Sequence, residues 1–256
     1  CSVFGNPSNN IKHIKKHKCI SVFFTPESTK VNMHYRYDDY MLDHVDISLG
    51  FKYIDHPKYI RFPFWITYID IDDINIGKKV LNINHLKQFR NRNIKKKFCC
   101  TLSNHDRDKT RTDIFNMLNK YKKVDSAGKW KKNIDYKILD GVENKQTWLS
   151  FYKFNICSES KIDDGYITEK LFEALIAGCI PIYIVDNEST QIESDVINQD
   201  VIIKFSKKNI KEAVDRVIEL NKNEKLYKEF TDQIAFKEGA IKYITNKYDL
   251  LAEKLT

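Results

Sequence analysis

Short apolar runs alternate with stretches of helical periodicity through most of this chain, and that rhythm restricts the fold more than any other feature. A parallel strand must be followed by a long crossover, so the alternation predicts βα units around parallel sheets. The strand candidates are Cys19–Thr25, Ile47–Phe51, Tyr59–Trp65 (broken by Pro63), the KFCCTLS segment from Lys97, the run from Trp148 to Cys157, Ile180–Val185 and Val201–Phe205. Between them, Arg111–Tyr121 turns Ile114, Phe115 and Leu118 to one face of a helix, with Tyr121 one turn on. Glu169–Ala177 is a second helix, with Gly178 in the place of a C′ glycine and Pro181 shortly after it. From Lys208 the chain reads as helical to its end. Residues 70–96 are polar, end in a basic run and suit an interdomain linker, which divides the chain into domains 1–93 and 94–256.

Composition narrows the partners. Hydrophobic residues make up 42% and charged residues 30%, an ordinary globular balance. A net charge of +8 favours an anionic partner: a nucleotide diphosphate, a nucleic acid or an acidic surface; a plainly solvated surface is the bland alternative. The basic runs Lys12–Lys18 and Lys95–Lys97 carry little aromatic interleaving, so a nucleic-acid partner is not expected. Cys1, Cys19, Cys99, Cys100, Cys157 and Cys179 show no CxxC spacing and no disulfide framework, which points to a reducing, cytoplasmic compartment. No run of about 18 apolar residues marks a transmembrane segment. GxSxG, P-loop and GxGxxG motifs are all missing, which argues against a serine hydrolase, an ATPase and a standard dinucleotide dehydrogenase. Asp70-Ile71-Asp72-Asp73 contains a DxD string, but such strings are cheap in a chain with 35 acidic residues and this one lies in the linker, so no metal site is expected.

In open α/β sheets ligands sit outside the carboxyl ends of the strands, where helix N-termini favour anions. Two strand-to-helix turns stand out: the one holding Arg107, Lys109 and Arg111, and Asp164-Gly165-Tyr166-Ile167-Thr168-Glu169-Lys170, in which Thr168 is placed to cap the helix. A lysine in a first helical turn opposes the helix dipole, so Lys170 either answers an anionic ligand or points to solvent. Arg111, early in its helix, has the same two readings.

Residues 165–184, GYITEKLFEALIAGCIPIYI, closely resemble the donor-binding signature of the glycosyltransferase family 10 fucosyltransferases. Four further segments resemble that family in the same order: FFTPEST (23–29), SLGFKYIDHPKYIRFPFW (48–65), KFCCTLSNHDRDKTRTDIFNMLNKY (97–121) and FYKFNICSES (151–160). The resemblance implies an α/β GT-B architecture, two Rossmann-like domains facing across a cleft, the N-terminal one on the acceptor side and shortened at its start. It implies an inverting transferase with GDP-fucose as donor, a glycan as acceptor and no required cofactor. By the same resemblance Arg111 and Lys170 neutralise the diphosphate, Glu169 holds ribose or sugar hydroxyls, and Tyr166 lines the nucleotide pocket. Thr168 and Ser160 complete the donor set, and Glu27 is the general base. A single inverting displacement needs one carboxylate to take the acceptor's proton, on the lobe opposite the phosphate-binding cations. This chain departs from the pattern at Pro26 and Ser28, where the family has glycine and asparagine around the base, and at Ser160, where it has asparagine. Those departures keep open another nucleotide-deoxysugar donor, or an inactive sugar-nucleotide-binding module. A soluble catalytic domain of a larger protein is the alternative to a cytoplasmic enzyme.

Overall fold

The structure, a computed structural model, describes residues 11, 12, 14, 16, 19–30, 37–70, 81–82, 97–106, 109–138, 142–159, 161–187 and 189–256. Ser160, Arg107, Cys1, most of the DxD string and most of the 70–96 linker lie outside the described residues.

The first half carries a parallel sheet in the order β1-β2-β3, made of Val22–Phe24, Ile47–Gly50 and Tyr59–Arg61. Pro63 ends β3, and a 3-10 turn, Phe64–Tyr68, follows. Two-residue strands β4 (Ile69–Asp70) and β5 (Leu81–Asn82) pair in parallel beyond it.

The second half is doubly wound. In chain order it runs β6 (Lys97–Thr101), α1 (Thr110–Tyr121), β7 (Val124–Ser126), α2 (Val142–Ser150), β8 (Tyr152–Ile156), α3 (Glu169–Ile176), β9 (Ile180–Ile184) and β10 (Ile203–Phe205). Its sheet order is β10-β9-β8-β6-β7, parallel throughout. All of IPIYI in β9 is buried, as a strand covered on both faces requires. Ile114, Phe115 and Leu118 of α1 pack beneath this sheet. Gly178 takes the left-handed conformation (φ +74°) that ends α3.

The C-terminal stretch is not one continuous helix. It breaks into α4 (Ile210–Lys222), α5 (Glu224–Asp232) and α6 (Ala240–Leu255), and the interruption before α6 holds an antiparallel bridge from Ile197 to Phe236. β7 and most of α2 have no counterpart in the sequence expectation, and Trp148–Ser150, expected at the start of a strand, form the last turn of α2 before β8 begins at Tyr152.

The two sheets share a core. Trp65 stacks on Phe172 with ring centres 4.2 Å apart, and Phe172 stacks in turn on Phe236. Helix α6 returns to the first lobe: the Tyr248 hydroxyl donates to the Ile66 carbonyl at 3.0 Å, and Lys254 donates to the Pro57 carbonyl at 2.6 Å.

Candidate functional site

A doubly wound sheet binds ligands at its switch point, where successive crossovers pass to opposite faces. Here that point lies between β6 and β8. Arg111, in the first turn of α1, joins the two loops that leave those strands. Its Nη1 donates to the His105 carbonyl at 2.5 Å, and its Nη2 to the Ser158 and Glu159 carbonyls at 2.5 and 2.9 Å. Its Nε and the neighbouring Ser158 Oγ are buried without a hydrogen-bond partner among the described residues. Burial pulls the Arg111 pKa down from its usual value, against the charges of Asp106 and Glu159. The N-terminus of α1 is capped by Asp106, which accepts from the Thr112 amide and hydroxyl, both at 2.6 Å.

The second turn is organised by a residue that sequence reasoning missed. Glu159, 7% exposed, receives the Thr168 amide at 2.8 Å, the Thr168 hydroxyl at 2.8–2.9 Å, the Lys170 ammonium at 3.0 Å and the Tyr183 hydroxyl at 3.2 Å. Thr168 therefore occupies the N-cap position of α3 without capping through its own side chain; the carboxylate from the β8 loop does so instead. A negative charge at that place matches the helix dipole. Lys170 also donates to Thr168 Oγ1 at 2.8 Å. Burial opposes its charge, but Glu159 and Glu169 together raise its pKa. The signal for Glu159 was its position, an acidic residue directly after a buried strand and within the quoted FYKFNICSES segment.

Glu169 faces the other way, 3.9 Å from both Lys170 and Lys145 of α2. Lys145 also pairs with Glu173, one turn further along α3. Tyr166 crosses to the first lobe. Its ring meets Phe51 edge-on, and its hydroxyl donates to Glu27 Oε2 at 3.0 Å. Burial and then the charges of Glu159 and Glu27 push the Tyr166 pKa up, so the phenol keeps its proton. Glu27 itself is exposed in the loop after β1.

These elements wall a cavity of about 430 Å³ at the carboxyl ends of β8 and β9. Glu159, Tyr166 and Tyr183 line it from the second lobe, Lys30 and Tyr53 from the first. The volume falls within the range of small-ligand sites. Of the site residues expected from sequence, Tyr166 lines the cavity; Thr168 and Lys170 adjoin it through Glu159, and Arg111 holds Glu159's backbone. Among the described residues, no group of three or more His, Cys, Asp and Glu side chains is placed to hold a metal ion. No described helix is long and apolar enough to cross a membrane.

Comparison with known proteins places the chain. It is 24% identical over 251 residues to the alpha-(1,3)-fucosyltransferase FucT of Helicobacter pylori, covering 88% of this chain and 49% of that protein. It is 29% identical over 147 residues to a putative fucosyltransferase of Acanthamoeba polyphaga mimivirus, covering 54% of this chain and 24% of that one. The chain thus spans about half the length, or less, of these relatives. Among solved structures, that of an alpha1,3-fucosyltransferase superimposes with a TM-score of 0.67 at 20% identity, covering 98% of this chain and 76% of the other. An alpha1,3-fucosyltransferase with GDP-fucose gives 0.62 at 20% identity, over 91% of this chain and 74% of the other. These likenesses show the GT-B fold. Residues 91–238 match the model of the C-terminal region of glycosyltransferase family 10, the fucosyltransferases, and this chain belongs to that family.

Proposed function

We propose that this chain transfers L-fucose from GDP-fucose to a hydroxyl of a glycan acceptor, in one inverting displacement and without a cofactor. The observation that carries this reading is the meeting of Glu27 and Tyr166 across the lobes, beside a cavity built from the donor segment. In this reading Glu27 takes the acceptor's proton as the new glycosidic bond forms. Tyr166, as a hydrogen-bond donor, holds that carboxylate in place without competing for the proton.

The departing GDP carries charge away, and the second lobe supplies the groups to meet it. Lys170 spends donors on Glu159 and Thr168, and an ammonium has three. Arg111 retains its buried Nε–H. Each is assigned to the diphosphate, and Ser160 to a donor hydrogen bond. Leaving-group stabilisation of this kind often outweighs general-base assistance. Glu169, turned toward Lys145, is assigned to the hydroxyls of the ribose or sugar.

The test separates base from donor site. Glu27→Ala is expected to lower transfer, followed as GDP release with a panel of oligosaccharide acceptors, by about 100- to 10,000-fold. The Kd for GDP, by calorimetry, is expected to stay within about twofold. Absence of binding to GDP and GDP-fucose, or full transfer by Glu27→Ala, would overturn the proposal.

A further inference from the structure

We infer that Asp163 is a positioning residue: with Tyr166, it docks the loop that carries Glu27, so that a turn of the donor lobe sets where the base stands. The inference rests on the reading of Glu27 given above and deepens it.

Residues 163–166 form a β-turn, closed by the Tyr166 amide donating to the Asp163 carbonyl at 3.1 Å. Gly165 stands third, at φ +70°, the position at which a type II turn requires a positive φ. Both ends of this turn reach the first lobe. From one end Tyr166 bonds Glu27, as described. At the other end Asp163 Oδ2 accepts the Ser28 hydroxyl at 2.6 Å, and Oδ1 lies 3.0 Å from the Lys30 ammonium. Ser28 Oγ also accepts the Lys30 amide at 3.1 Å, and Thr25 Oγ1 donates to the Glu27 carbonyl at 2.9 Å, so the loop is braced on either side of the base. One short turn thus holds Glu27, Ser28 and Lys30.

Burial makes this more than a surface contact. The Asp163 side chain is 1% exposed, while that of Lys30 is 54% exposed and arrives from the rim. A sequestered carboxylate demands donors, and hydrogen bonds to a charged acceptor are short and strong. The turn itself cannot slide. A methyl group at Gly165 would collide with the Phe51 carbonyl oxygen, and Arg61 donates to both Phe51 O, at 2.9 Å, and Gly165 O, at 3.4 Å. Asp163 is therefore fixed to the seam, and Ser28, the residue next to the base, is fixed to Asp163. A general base displaced by about 1 Å can lose on the order of 100-fold in rate.

The experiment compares Asp163→Ala, Ser28→Ala and the double variant, with Asp163→Asn as the conservative replacement that keeps an acceptor for Ser28. Asp163→Ala is expected to lower kcat about 10- to 100-fold with the Kd for GDP within about twofold, because the base moves while the donor grip stays. The double variant is expected to be no slower than Asp163→Ala alone, and Asp163→Asn to recover most of the rate. Unchanged kcat in Asp163→Ala, a loss that follows GDP affinity, or additive effects in the double variant would overturn the inference. Hydrogen exchange supplies a readout independent of turnover. Amides of residues 27–30 are expected to exchange faster in both Asp163→Ala and Ser28→Ala, and unchanged exchange would also refute the docking. If the wild-type chain transfers no fucose while these amides respond as expected, the functional reading fails and the docking stands.

Discussion

Removing the charge of Arg61 gives the sharpest physical test of how the two lobes are joined. Its guanidinium, at the end of β3, grips Glu193 with both arms, Nη2 to Oε1 at 2.6 Å and Nη1 to Oε2 at 3.0 Å, and also donates to the Tyr243 hydroxyl of α6 at 3.1 Å. The Arg61 and Glu193 side chains are 7% and 2% exposed, so neither charge is solvated when the other is removed. Burial opposes the guanidinium's charge, but the carboxylate outweighs that penalty and holds the pKa of Arg61 above its usual value. Arg61→Met keeps most of the volume and strands Glu193. Breaking a buried pair in this way costs about 3–5 kcal/mol. At roughly 2–4 °C per kcal/mol for a chain of this size, Tm is expected to fall by on the order of 10 °C. Arg61→Met/Glu193→Met removes the stranded charge as well, but leaves the Phe51 and Gly165 carbonyls and the Tyr243 hydroxyl without the guanidinium, so it is expected to recover only part of the loss. Guanidinium unfolding followed by tryptophan fluorescence suits the measurement, because Trp65 stacks within the seam itself. The cost is expected to persist at high salt, since a buried pair is poorly screened. An Arg61→Met penalty below about 1 kcal/mol would refute the reasoning, as would a double variant no more stable than the single one.

Three other outcomes are expected. Glu159→Ala leaves Lys170, Thr168 and Tyr183 without their shared acceptor; it should lower thermal stability markedly and weaken GDP binding in calorimetry, whereas Glu159→Gln should lose less of both. Gly165→Ala forces a side chain into the left-handed region against Phe51, and should cost at least about 1 kcal/mol in denaturant unfolding. Glu173 has its pKa raised to about 7 by burial, with Lys145 opposing the rise. Its folded pKa lies above the unfolded value, so the folded state binds the extra proton between pH 4.5 and 7. Its contribution to stability is full at low pH and fades as pH rises through 7, so a Tm–pH profile should decline over that window and flatten in Glu173→Gln.

The strands most legible in the sequence are those buried on both faces. KFCCT, YKFNI and IPIYI are continuous apolar or β-forming runs, and helices α1 and α3 show their periodicity openly. β7 was not legible because it is short and polar: in VDS only Val124 joins the apolar core, and Asp125 accepts the Tyr152 hydroxyl at 2.7 Å, a partner far along the chain. Helix α2, VENKQTWLS, carries its burial on Trp148 and Leu149 near its end, too little to set a period. The break before α6 comes from the Ile197–Phe236 bridge, a long-range pairing without a local stop signal ahead of Gly239.

The same distinction governs the site. Tyr166, Thr168, Glu169 and Lys170 are recognisable because they stand together in one strand-to-helix motif. Glu159, Asp163 and Arg61 escaped because their work is done at a distance. Glu159 acts on a helix start beyond the next loop, Asp163 on Ser28 in the other lobe, and Arg61 on Gly165, Glu193 and Tyr243 together. A motif displays the side chains that face a ligand in sequence order. The groups that orient those side chains are chosen by tertiary packing, within a lobe or between the two, where a buried carboxylate must find donors wherever the chain brings them. For Asp163 and Glu193 the donors come from across the seam, whereas those of Glu159 come from its own lobe. Substitutions at Asp163 or Arg61 should therefore disturb both lobes at once, whereas a change at an exposed pair such as Arg216–Glu219 should stay local and shift stability by less than about 1 kcal/mol.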